Sequence, residues 1–499
     1  MRHLLAVMAA LGTAALVSTS PPARAAVGES QIRADVRSVV QQRIADAVHG
    51  LDTSSSPPGG HPAAGRDTRL VGSLNLPGGL NGDVYAYQGF AYVGTWSGPC
   101  PGTGVKIIDV RDPAHPRQVA TAGGYPNTSA EDMQVVTVRT SSFSGDLLGI
   151  GLQDCGLPNQ PPGLAGLDLW DVTDPVHPAR LGFFDVGGYS GGVHEVSLTT
   201  RTIGGVARLY ALAAVPFAEV ISTAFTSTPR GDFHLIDATN PTTPVLADDW
   251  GAGKDGGLPY GSPLVGLPAP FDCTPPPGAP ALCRGHSPVV YDHSASPSAD
   301  GRTAYLAYWD AGAILLDMTD PTNLRFIGRT VYPAGSEGDT HSSVPNASGS
   351  LLVTTDEDFS PSETIAAGLP KEPGDTWGFA RIWSLANPAN PVRVADVATP
   401  HSLTNKTDGF YSVHNPQVVG DWLYLSWYSD GLRVYDIANP AKPREVAFYR
   451  PQPTLDPTGV FAEFGAGTHP IPFVWGVHVT GGLTYLSDIN YGLYVVRVD

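Results

Sequence analysis

Histidine is the commonest protein ligand for transition metals and binds through a neutral ring nitrogen at about 2.0–2.1 Å. Aligning the strand-like segments of this chain brings four into register: His194, His286, His341 and His414. Glu131 and Gly82 hold the same register in the preceding segments, and Trp475 holds it in the last, with His478 three residues on. Four imidazoles at one level could close on Fe, Cu or Zn, with Glu131, Asp132, Glu195, His478 or Asp83 orienting the rings or completing the set. The same pattern has a plainer use, because a polar residue repeated once per unit also serves to hydrogen-bond the neighbouring unit. His194 and Glu195 are adjacent, and adjacent strand side chains point to opposite faces, so they do not by themselves make an acid–base pair.

A second chemistry belongs to acidic turns. Trp309-Asp310-Ala311-Gly312, Asp356-Glu357-Asp358, Tyr428-Ser429-Asp430-Gly431 and Asp488-Ile489-Asn490-Tyr491-Gly492 fall at corresponding turns, on one face of the fold. Oxygen ligands there could hold Ca²⁺, and Asp and Gly in such turns also satisfy tight backbone geometry. No Gly-x-Ser-x-Gly elbow, P-loop, dinucleotide glycine motif or His-Glu-x-x-His helix occurs.

These residues are positioned by an internal repeat, an apolar strand ending in Asp followed by spaced prolines. It reads Val105-Lys106-Ile107-Ile108-Asp109 with Pro113 and Pro116, then Leu167-Asp168-Leu169-Trp170-Asp171 with Pro175 and Pro178. Further copies are Phe233 to Asp237 with Pro241 and Pro244, Ile314 to Asp317 with Pro321, Ala380 to Ser384 with Pro388 and Pro391, and Leu432 to Asp436 with Pro440 and Pro443. A seventh strand, Leu493 to Arg497, ends the chain. Successive copies lie 52 to 80 residues apart, room for a four-stranded sheet. Asp accepts hydrogen bonds from turn amides, and Pro fixes φ and lacks a donor, so the phrase restrains the turn between third and fourth strands.

Seven such units predict an all-β, seven-bladed β-propeller over residues 67–499. Unit seven stops after its third strand, and Arg69 to Leu74 resembles an orphaned outermost strand, so the expected closure pairs the two ends of the chain. The phrase resembles the LVIVD repeat of secreted or surface bacterial propellers, approximated by Val105 to Asp109 and Leu432 to Asp436. That resemblance implies the fold and brings no activity with it. Carotenoid-cleaving oxygenases, which hold iron with four histidines, and methanethiol oxidases are similar to this chain in general architecture alone.

Composition agrees with many short strands: of 499 residues 58 are Gly and 47 Pro, with 15% charged. A net charge of -18 disfavours nucleic acid as a partner. Residues 1–25 read as a signal peptide, with an apolar run from Leu4 to Val17 and a cleavage site after Ala23-Arg24-Ala25. Residues 26–66 read as a short helical segment and a Ser/Pro/Gly linker. No later stretch is apolar enough for a transmembrane anchor. A secreted, extracellular or cell-envelope location follows, where Cys100, Cys155, Cys273 and Cys283 are expected to form two disulfides, the first with the second and the third with the fourth. The sequence ranks first a secreted binding or interaction module, contacting an extracellular protein, a glycan, a cell-envelope component or a small-molecule ligand. The alternative is a metal-dependent enzyme, in its concrete form an oxidoreductase built on the histidines of the central channel.

Overall fold

The computed structural model describes residues 68–96, 102–155, 161–187, 191–257, 290–332, 338–358, 376–404, 409–454 and 470–499. The predicted signal peptide, helical segment and linker lie outside the described residues, as do Cys100, Cys273, Cys283 and His286. No described helix is long and apolar enough to cross a membrane.

Each copy of the repeated phrase forms the third strand of an antiparallel sheet, and seven such sheets are present. The first blade runs outward as Leu80–Tyr87, Phe90–Trp96, Val105–Asp109 and Arg117–Ala122. Val105–Asp109 is buried at every position while Arg117–Ala122 is half exposed. That is the gradient expected where each inner strand is covered by a neighbouring blade on both faces. The second blade carries an extra two-residue strand, Thr128–Ser129, at its inner end.

Closure is as the sequence predicts. Thr68–Asn75 pairs antiparallel with Gly492–Val498, Thr68 opposite Val498 and Asn75 opposite Gly492. The last blade is thus built from both ends of the chain, and no single giant core is required. Apolar clusters lie between blades instead: Tyr92 and Ile107 of the first pack with Leu148 and Ile150 of the second, and Val93 of the first with Val495 of the seventh.

The outer turns explain the Asp and Pro positions. Asp171, Asp237, Asp317 and Asp436 each accept a hydrogen bond from the backbone N–H two residues on, at 2.8–3.0 Å. Every pairing of third and fourth strands shifts register by one residue, so a β-bulge twists each edge strand. In the seventh, second and fourth blades a glycine follows that bulge. A Cβ on Gly72, Gly182 or Gly328 would lie 2.2–2.4 Å from the carbonyl oxygen of Pro113, Pro241 or Pro388 in the next blade. The proline turn of one blade is therefore seated against the bare backbone of its neighbour.

Candidate metal centre

The seven innermost strands contact one another in ring order around the axis. The residues opening them make a closed chain of contacts: Glu131, His194, His293, His341, His414 and Trp475 from successive blades, and Trp475 Nε1 donates back to Glu131 Oε1 at 3.2 Å. That last step crosses the first blade, which contributes only Gly82. A Cβ at Gly82 would meet Glu131 O at 2.7 Å and Cγ at 3.0 Å.

Three of the four predicted histidines, His194, His341 and His414, therefore stand together. His286 lies outside the described residues, and in the fourth blade His293 occupies the axial place. Its signal was present in the sequence: His293 and His341 each stand five residues before matching turns, Ser298 to Gly301 and Asn346 to Gly349. Ring centroids are 4.4 Å apart for His194 and His293, and 4.0 Å for each following pair.

Hydrogen bonds fix most of the tautomers. His194 Nδ1 faces Gln153 Oε1 at 3.0 Å and Glu131 Oε2 at 3.3 Å, both acceptors. His414 Nδ1 donates to Trp475 O at 2.8 Å. Ser342 Oγ donates its proton to Asn415 Oδ1, so it accepts from His341 Nδ1 at 2.8 Å. His293 Nδ1 lies 3.5 Å from Glu195 Oε1. The Nε2 atoms of His194, His341 and His414 consequently carry lone pairs, and His194 Nε2 lies 2.9 Å from His293 Nε2. Two imidazole ligands about 2.05 Å from one metal at a right angle would be about 2.9 Å apart. Burial pushes His194 down to about 4 and His414 to about 3, with His293 and His341 also well below the usual range, so all four are neutral at pH 7.

Carboxylates complete two overlapping ligand sets whose atoms lie within 4.8 Å of one another: His194, Glu195 and His293, and His293, His341 and Glu357. Glu195 reaches the next two imidazoles, at 3.5 Å from His293 and 3.8 Å from His341. Strand alternation does not bind it, because regular pairing in this blade starts only at Val196. Glu357 lies 3.9 Å from both His341 Nε2 and His414 Nε2, and it accepts a hydrogen bond from Tyr428. Sequence reasoning gave Glu357 to a rim turn, since it follows the second strand of its blade, Leu351–Asp356. Trp309 stacks on His293 at 5.3 Å, and its backbone is held at φ 46°, a strained value for a bulky residue and one that recurs at functional sites.

The other predicted residues are placed apart. Asp132 accepts the Val196 N–H at 2.7 Å, tying second blade to third. His478 accepts the Ala86 N–H on Nδ1 at 3.1 Å and packs on Tyr85, outside the imidazole row. On the acidic face, Asp356 pairs with Arg381, Asp430 with His401 and Arg433, and Asp488 accepts three backbone N–H groups. None of these three aspartates joins a metal-ligand group among the described residues. Cys155 is buried, and its predicted partner Cys100 lies outside the described residues.

The profile of the LVIVD repeat matches residues 78–121 and 413–450, which are the first and sixth blades. The chain thus carries LVIVD repeats within a seven-bladed propeller. No curated protein matches it. Among solved structures, the computationally designed Ika8 protein aligns over 86% of this chain and 99% of its own, with 8% identity and a TM-score of 0.43.

Proposed function

We propose that this propeller is a metal-dependent oxidoreductase that holds Fe or Cu at the axis through His194, His293, His341 and His414, with Glu131, Glu195 and Glu357 orienting the rings or entering the coordination sphere. The observation that carries the reading is the 2.9 Å approach of the His194 and His293 Nε2 atoms in a row of neutral, buried imidazoles. Without a metal the contact is met by a neutral His293 ring donating its Nε2–H to His194 Nε2, and a cation entering the row would displace that proton and take both lone pairs. Imidazole donors suit Fe, Cu and Zn, and of these Fe and Cu carry electrons. A signal-like N-terminus supports placing this chemistry outside the cytoplasm. The interaction-module reading has no comparable residue-level support.

Elemental analysis of natively purified protein tests the proposal. The expected result is close to one Fe or Cu per chain, lost in the His293→Ala, His341→Ala double variant with the fold retained. Stoichiometric Zn would remove the redox half of the reading. A chain that takes up none of the three metals would remove all of it.

A further inference from the structure

One residue along each inner strand from the imidazole level stands a second ring: Asp83, Asp132, Glu195, Ser294, Ser342 and Asn415, with Gly476 in the seventh blade. A Cβ on Gly476 would lie 2.9 Å from Asp83 Oδ1, and its absence lets Asn415 of the sixth blade reach Asp83 of the first. All of these but Gly476 line a cavity of about 290 Å³, which has three carboxyl side chains and, among the described residues, no lysine or arginine in its lining. Asp83 is 5% exposed. Its Oδ1 accepts from Asn415 Nδ2 at 2.5 Å, and no donor among the described residues reaches Oδ2. The Glu195 carboxylate has ring nitrogens no nearer than 3.5 Å and accepts no hydrogen bond among the described residues.

Buried carboxyls with no basic side chain among the described lining residues are complementary to a cation, whose charge offsets the cost of their burial. Asp83, Asp132 and Glu195 do not bring ligand oxygens within 4.8 Å of one another, since the two groups that do so each contain two histidines. A bare ion could not close such a ring, whereas an ammonium group has three N–H donors and a carbon body to fill the space. At roughly 30 Å³ per water-sized unit, the cavity admits on the order of ten non-hydrogen atoms.

We propose that the axial cavity beneath the histidines binds a small primary amine as its ammonium ion, received by Asp83 and Glu195. Treating that amine as a substrate rests on the metal-centre reading, because Glu195 borders both the cavity and His293. The binding itself does not.

The test uses chelator-treated full-length protein titrated with butylamine and, as the uncharged counterpart, butanol, followed by calorimetry at neutral pH. Butylamine is expected to bind at least about tenfold more tightly than butanol, and Asp83→Asn to weaken it about tenfold, as removal of a charge-assisted hydrogen bond does. Equal affinity for butanol, an unchanged affinity in folded Asp83→Asn, or displacement by Ca²⁺ at equal concentration overturns the proposal. If the variant does not fold, the butanol comparison decides alone. Metal content measured before chelation separates the two readings, since either can fail while the other stands.

Discussion

The acids at the blade rims and the acids at the axis are the same residue types under opposite constraints. Asp109 at an outer turn is held by Arg111 and Arg117 at 2.7 and 2.8 Å, and the Arg111 guanidinium keeps its carboxyl well below the usual range. Asp83, Glu131 and Glu195 at the axis are buried with no guanidinium or ammonium beside them among the described residues, and desolvation drives all three upward. Rim acids find their donors within a few residues along the chain, which is what a repeated turn requires. Axial acids meet groups from other blades and, among the described residues, are left short of donors, a costly arrangement that protonation or a bound cation offsets.

The largest expected effect lies at the rim. In Gly182→Leu the new side chain would start 2.4 Å from Pro241 O, a backbone atom that cannot give way without moving a blade turn. The expected cost is about 3 kcal/mol in urea unfolding, with bound metal per folded chain unchanged. A neutral result would show that the proline turn is not a fixed seat.

The axial counterpart is Glu195→Gln. It preserves shape and removes a buried carboxylate, so unfolding stability should hold or rise while metal affinity falls about 10- to 100-fold, the range for residues that orient ligands. Competition with a chromophoric chelator measures it. Unchanged affinity with lost stability would make Glu195 a structural acid of the rim type.

The contrast also explains what the sequence reveals. The turn phrase is local, so it announces the third strands from Val105–Asp109 onward, and its count of seven with one strand short implies pairing of Thr68–Asn75 with Gly492–Val498. His194, His341 and His414 could be found because each opens a strand whose register follows from that phrase. His293 was missed because a long insertion precedes its blade and its strand, Ser294–Pro297, is short and lacks apolar alternation. Counting back from the turn at Ser298 would have found it. No comparable signal marks Glu357, whose approach to His341 and His414 depends on the stacking of two blades.

A smaller effect is expected for Asp171→Ala, which removes the acceptor for Thr173 N–H at 2.9 Å. The turn is exposed and water substitutes in part, so the expected loss is about 1 kcal/mol or less, without effect on metal content.

The smallest effect separates the two kinds of acid by sign. Asp109 has a folded pKa below its unfolded value of about 3.9, so its ion pairs contribute stability that is complete above that pH and lost as pH falls through the folded value. Asp488, buried at the end of the second strand of the seventh blade, is pushed up to about 6 by desolvation, so between about pH 4 and 6 the folded state binds more protons and stability declines as pH rises. Urea midpoints for the native protein and Asp109→Asn should therefore converge as pH falls below about 4 and stay separated by a small, constant amount above it. The separation should also shrink in high salt, because Arg111 and Arg117 are 62% and 67% exposed and their attraction is screened. A gap that stays the same at every pH and salt concentration would assign the role of Asp109 to its hydrogen bond with Arg111 N–H at 3.2 Å, and its charge would then be incidental to the turn.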